Sequence, residues 1–202
     1  MANKNKEIIK NYEKFKFKLE GKEYLFVFFD NDKKMYDCVL VKFDTENFCH
    51  LLGIINKCSN HIEFSKKCDE GTLNEKNYQI KEYSKYNNKV NAFEALLNIG
   101  KSSKLVGDFN EYRLKLRLDK LIGNINFSLG IKCVDTNTRT YVPVSLLDSD
   151  IRSYTNNPIK ILLVLARDID EVEYKVINYG KKVNVSELVK IVSELYSLKI
   201  IY

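Results

Sequence analysis

The chain has 202 residues, 45% of them hydrophobic and 30% charged, and carries a formal net charge of +6. That length and apolar content support a sizeable core in one domain, and two prolines exclude a Pro-rich linker or low-complexity tract. The basic excess suits a polyanionic partner, although abundant Lys, Asn, Ile and Tyr with no Trp is also what an AT-rich gene encodes.

Residues 6–14 read as a short polar helix or a frayed end. Phe15-Lys16-Phe17-Lys18-Leu19 alternates with period two and predicts a strand. Tyr24–Phe29 predicts the next, and Met35–Phe43 a third with Val39 and Val41 at its centre. Asp44 or Thr45 is a suitable N-cap for a helix over about 45–57. Residues 59–90 are polar, with a weak helical pattern near 74–84 and a break at Asn87-Asn88. A helix over 92–99 should end at Gly100. The segment 109–122 predicts an amphipathic helix, with Leu105, Phe109, Tyr112, Leu116 and Leu121 on one stripe and Arg113, Arg117 and Lys120 on another. Ile125–Cys133 and Arg139–Ser145 alternate as strands around the turn Asp135–Thr138. Residues 148–157 read as a loop. Ile159–Ala166 is apolar apart from Lys160 and predicts a strand buried on both faces. Val172–Tyr179 follows as a strand. Asn184-x-x-Glu187 is a capping box for a last helix through about 197, with Leu188, Val189, Val192, Leu195 and Tyr196 inward.

The expected class is therefore α+β: helices packed on a C-terminal four-stranded antiparallel sheet, with an N-terminal β-ribbon. Residues 1–202 form one domain in this reading. The ribbon covers 15–43, the helical part 44–122, and the antiparallel sheet with the last helix 123–202. No hydrophobic run reaches the roughly 18 residues needed to span a bilayer. Met1–Glu7 has no apolar core of a signal peptide, and five irregularly spaced Cys suit reduced thiols. A cytoplasmic protein with no membrane association is expected.

Cys58-x-x-His61, with Cys49, His50 and Cys68 nearby, has ligand-like spacing. It lacks the second pair of a closed zinc site, so scattered buried thiols are favoured and neither metal nor cofactor is expected. Phosphate-loop, dinucleotide, zincin and nucleophile-elbow motifs are absent. Cys49 and His50 are adjacent, so on a helix they point about 100° apart and are not partners. His50 is one of two histidines and sits among Phe48, Leu51, Leu52 and Ile54. A satisfied core histidine and a proton-exchanging one both fit that setting. The stripe Arg113, Arg117, Lys120 fits either a solvated face or a phosphate contact.

Phe48-Cys49-His50-Leu51-Leu52-Gly53-Ile54, directly after a strand, resembles the signature of a phage-associated nuclease family called PBECR4, grouped with barnase, EndoU, colicin E5/D and RelE. A second match runs from Phe127-x-Leu129-Gly130 through Tyr141-x-Pro143-x-Ser145-Leu146-Leu147 to the strand Ile159–Ala166 and Tyr174. Together the matched parts span roughly residues 35–180. The resemblance implies a helix followed by a four-stranded antiparallel sheet, and RNA cleavage without a metal. Of its site residues, His50, Tyr141 and Ser145 carry over. The Arg and Lys roles rest on chemistry.

Cleavage by 2′-OH transesterification needs a base for that proton, cations around the crowded phosphorane and an acid for the leaving 5′-oxygen. His50 is the expected general base or acid. Arg139 and Lys175 are the expected phosphate stabilisers, and Tyr141 and Ser145 donors or positioners. Arg139, Tyr141 and Ser145 should share a strand face. Arg113, Arg117, Lys120, Arg152 and Arg167 would bind RNA. The favoured function is a metal-independent endoribonuclease of phage or mobile-element origin, a toxin or conflict effector, with tRNA among its candidate substrates and a cognate immunity or host protein as partner. The alternative is a catalytically inactive member of the fold serving as a protein- or nucleic-acid-binding, counter-defence module. For that reading, the edges of the N-terminal ribbon would dock the partner.

Overall fold

The computed structural model of the chain describes residues 2–201. It opens with α1 (Ala2–Lys18), then the hairpin β1 (Lys22–Asp30) and β2 (Met35–Phe43). The short α2 (Asn47–Leu52) leads to β3 (Ile55–Asn56), α3 (His61–Asp69) and β4 (Tyr78–Gln79). Next come α4 (Tyr83–Leu97), α5 (Ile99–Ser102), β5 (Leu105–Phe109) and β6 (Lys120–Gly123). The chain ends with β7 (Ser128–Asp135), β8 (Thr140–Leu147), β9 (Thr155–Asp168), β10 (Glu173–Tyr179), α6 (Val185–Tyr196) and β11 (Lys199–Ile201). No helix among the described residues is long and apolar enough to cross a membrane.

Seven of these strands close into a mixed barrel in the order β1-β2-β8-β7-β6-β5-β9, with β9 pairing back onto β1. The β2–β8 junction is parallel, through Leu40↔Thr140 and Val41↔Tyr141; the other junctions are antiparallel. Strands β10 and β11 leave the ring as a flap beyond β9. The main core draws side chains from every barrel strand, among them Phe26, Val41, Leu129 and Val164, and joins them to α1, α2 and α4. A ring of this size has an interior just wide enough for side chains to fill it. A second core lies on the outer face, where Leu25, Val27 and Leu165 pack with Leu188 and Val192 of α6.

The expected four-stranded sheet with a separate N-terminal ribbon is therefore incorrect. The physical reason is visible in β1. Leu25 and Val27 are buried in the outer core while Phe26 and Phe28 are buried in the inner one. A strand enclosed on both faces has its backbone N–H and C=O groups cut off from water, and they are paired along both edges. It pairs with β2 on one side and, over Lys22–Phe28, with β9 on the other. Among the described residues β1 therefore has no free edge over Lys22–Phe28, and β2 is joined to β8 at Leu40 and Val41.

The predicted helix over 109–122 is also replaced, by β5, a loop and β6, which bridge β9 and β7. Val106 and Ile122 are paired and fully enclosed, whereas Tyr112 is 94% exposed, so burial follows the strands and not a helical stripe. The predicted strand Phe15–Leu19 belongs to the end of α1 instead. Ile8, Tyr12, Phe15 and Leu19 are inaccessible and Phe17 is exposed, which is helical spacing that a local alternation imitates. The helix predicted over 45–57 stops at Leu52, because Gly53 takes φ 80° and caps it with bonds to the Cys49 and His50 carbonyls. Asn87-Asn88 lies inside α4 and breaks nothing. The third strand occupies 35–43, and the Asp135–Thr138 turn and the apolar strand are where the pattern put them. The Asn184 side chain caps α6 by accepting the Glu187 N–H, although Leu195 on that helix is exposed.

Candidate active site

The two ends of the barrel differ in chemistry. At the end where β2 finishes, α1, α2 and α4 cover the interior with an aromatic cluster. Phe48 stands at its centre, against Tyr12, Phe15, Phe64 and Phe93. At the opposite end the inward register continues past the apolar residues into polar ones. Asp37 precedes Val39 and Val41 on the inner side of β2, Lys120 pairs with Ile131 across β6–β7, and Tyr141 pairs with Cys133 across β8–β7. These side chains, with Lys33, Thr136, Arg139, Phe28 and Cys38, line a mouth of about 260 Å³.

Asp37 organises this mouth. The residue is 7% exposed, and a carboxylate so placed requires partners. It accepts from the Arg139 guanidinium, from Lys33 Nζ at 3.1 Å and from the Cys38 N–H at 2.7 Å. Arg139 is held in the turn before β8 with φ 53°, a left-handed conformation that costs a residue other than glycine about 1–2 kcal/mol. Its guanidinium also donates to the Tyr196 hydroxyl at 3.3 Å and lies 6.0 Å from that ring. Lys120 is ion-paired with Asp108, its cross-strand neighbour on β5. Burial holds the Tyr141 phenol above its ordinary pKa, and the nearby Cys133, Asp119 and Asp108 add to this against the opposing charge of Arg139. The phenol is therefore a proton donor at neutral pH.

The structure brings Arg139, Tyr141 and Lys120 together and separates them from the other expected site residues. Ser145 lies opposite Gly130 while Pro143 lies opposite Ile131. Val144 is therefore an extra residue in β8, and this bulge breaks the period-two relation between Tyr141 and Ser145. Lys175 is on the β10 flap, where its amine bonds Glu171 at 3.0 Å. Arg167 is tied to Glu23 at 2.7 Å and lies 4.5 Å from the Tyr174 ring. Arg113 donates to the carbonyls of Arg152 and Ser153, both at 3.1 Å, and Arg152 itself is chelated to Asp150. Arg117 is exposed in the loop between β5 and β6. Arg113, Arg117 and Lys120 form no helical stripe.

His50 is on α2, at the covered end. It is the one exposed residue of that helix: Asn47, Phe48, Cys49, Leu51 and Leu52 are all buried. The core-histidine reading is thereby removed. The His50 carbonyl accepts from Lys89 Nζ at 2.8 Å, and burial lowers that ammonium to about 8. Gly53 makes room for it, since a Cβ there would stand 2.7 Å from Lys89 Cδ. Burial pushes the Cys49 and Cys68 thiols up to about 12, and among the described residues no three His, Cys, Asp or Glu side chains converge as a metal-binding group.

Sequence reasoning missed Asp37, Lys33, Asp108 and Lys89. Asp37 had a signal, a carboxylate in the apolar register of Val39, Val41 and Phe43. Lys33 is only four residues from Asp37, across the turn between β1 and β2, whereas Asp108 and Lys89 depend on contacts more distant in the chain.

Residues 7–183 match the family described as phage-Barnase-EndoU-ColicinE5/D-RelE like nuclease 4, and the chain belongs to this PBECR4 family. Neither the curated proteins nor the solved structures yield a match to the chain.

Proposed function

We propose that the chain is an endoribonuclease that acts at the open mouth of the barrel. The observation that carries this reading is that Arg139, Lys33, Lys120 and Tyr141 line one mouth in a member of a nuclease family. A guanidinium has five N–H groups, so Arg139 can hold Asp37 and still offer donors to a phosphate. The 2′-oxygen of the substrate attacks the adjacent phosphorus while a carboxylate takes the 2′-proton. Asp108 is suited to that step: its side chain is 80% exposed and stands beside Lys120. The three cations stabilise the phosphorane, and the P–O5′ bond breaks as Tyr141 donates a proton to the leaving oxygen. The products are a 2′,3′-cyclic phosphate and a 5′-hydroxyl. Release of such an activity in a competing cell would make the protein a toxin or conflict effector.

A second location is favoured by one observation: His50 is exposed, and its carbonyl holds an ammonium whose pKa lies near 8. Perturbed groups of that kind cluster at functional sites. The test is cleavage of total RNA in EDTA by wild type, Tyr141→Phe, Arg139→Ala and His50→Ala. Loss in the first two variants with activity retained in His50→Ala locates the chemistry at the mouth. The reverse pattern moves it to α2. RNA binding without cleavage by wild type would leave a binding module.

A further inference from the structure

One edge of β9 changes partner along its length. Its first half pairs with β5 through Lys160, and its second half pairs with β10 from Leu163 onward. The two neighbours diverge at this point. The Lys104 carbonyl accepts the Ile161 N–H at 2.9 Å on one side, and the Gly180 N–H reaches the Leu162 carbonyl at 3.0 Å on the other. The fork between them is a groove of about 380 Å³.

Its lining has a distinct chemistry. Lys104, Lys160, Lys181 and Lys182 surround an apolar floor that includes Ile161 and Leu163, and no acidic residue lines it. None of these four lysines has an ion pair among the described residues, although lysines elsewhere on the surface commonly do. Tyr179, at the end of β10, is 51% exposed at the rim. Ser103 also lines the groove. It is 1% exposed, and its hydroxyl is buried without a hydrogen-bond partner, a cost that a ligand oxygen would relieve.

We propose that this fork is a docking groove for single-stranded RNA, in which the lysines take phosphates and Tyr179 stacks a base. Cationic grooves flanked by exposed aromatic rings bind single strands in this way. Strand β9 runs from the mouth end of the barrel towards the groove. Asn156 pairs with Asp108 there, and Leu162 in the groove lies about 20 Å further on at the strand's rise per residue. One RNA strand a few nucleotides long would occupy both. This inference rests on RNA being the substrate, but it places recognition outside the residues assigned to chemistry.

The probe is a 2′-O-methyl single-stranded oligonucleotide, which has no 2′-OH to attack. Its affinity is measured against salt for wild type, the triple variant Lys104→Ala/Lys181→Ala/Lys182→Ala, Tyr179→Ala and Tyr179→Phe, with cleavage of a dinucleotide followed in parallel. The triple variant should lower the slope of log K against log salt by roughly 2, at about 0.7 per lost phosphate contact. Tyr179→Ala should weaken binding about fivefold or more and Tyr179→Phe should restore it. Dinucleotide cleavage should be unchanged throughout. Equal affinity and slope in all four proteins would overturn the proposal, as would a parallel loss of duplex RNA binding, which would reveal only a positive patch. Groove-dependent binding by a protein that cleaves nothing would keep the groove and remove the nuclease reading.

Discussion

Arg139 carries two opposed energetic terms, and substituting it separates them. Its left-handed φ of 53° costs any side chain about 1–2 kcal/mol, which only glycine escapes. Its guanidinium meanwhile compensates Asp37, which is almost fully enclosed. Breaking a fully buried pair costs about 3–5 kcal/mol and an exposed one about 0–1 kcal/mol. Here the arginine is 37% exposed, and Lys33 and the Cys38 N–H remain on the carboxylate, so the loss should be about 1–2 kcal/mol. Arg139→Ala keeps the strained backbone and loses the pair. Arg139→Gly loses the pair but relieves the strain, so its net change should be close to zero. The two variants should differ by about 1 kcal/mol in urea unfolding, or roughly 2–4 °C in Tm for a chain of this size. Both should lose RNA cleavage equally, by about 10²–10³-fold, if the guanidinium faces the developing charge. Equal stability of the two variants would refute the backbone argument. Full activity in either would refute the place of Arg139 in the site.

Tyr141→Phe should fold normally and lose cleavage about 10²-fold or more. Because the phenol's pKa is raised, the wild-type activity that depends on it should persist across neutral pH and decline only in the alkaline range above 10, which a pH–rate profile checks. Burial acts to raise the Glu23 pKa, but bonds from Lys42, Arg167 and Tyr174 outweigh it and hold the carboxyl below its ordinary value. Its stabilisation is therefore complete above the unfolded value of 4.5 and lost as pH falls through the folded one. Wild type and Glu23→Gln should differ most in denaturant midpoint at neutral pH and converge in acid. Lys89 has the opposite sign. Its folded-state pKa of about 8 lies below the ordinary 10.5, so the charged amine penalises the fold below pH 8 and the penalty fades as pH rises towards 10.5. Lys89→Met should gain stability relative to wild type at pH 7, and that gain should vanish near pH 10.5. Gly53→Ala should cost at least about 1–2 kcal/mol from φ 80° alone. Adding Lys89→Ala should recover the part due to the 2.7 Å contact, as a double-mutant cycle would report.

Local information in the chain was enough for several elements. Met35–Phe43, the Asp135–Thr138 turn and the side-chain N-cap at Asn184 depend on residues within a few positions of one another, and each took its expected form. The family was legible too, because its motif is a run of adjacent residues, one of which, Phe48, stands at the centre of the aromatic plug. Closure was not legible. Whether β1 meets β9 depends on contacts about 140 residues apart, and no local pattern separates a ribbon from a barrel wall when the same apolar residues serve both. The same limit governs the site. Arg139 and Lys120 could be chosen from chemistry and Tyr141 from the family resemblance, but only the ring of strands brings them to one mouth with Asp37 and leaves His50 at the other end. A single extra residue, Val144, decides the side on which Ser145 falls, since every residue inserted into a strand reverses the faces beyond it.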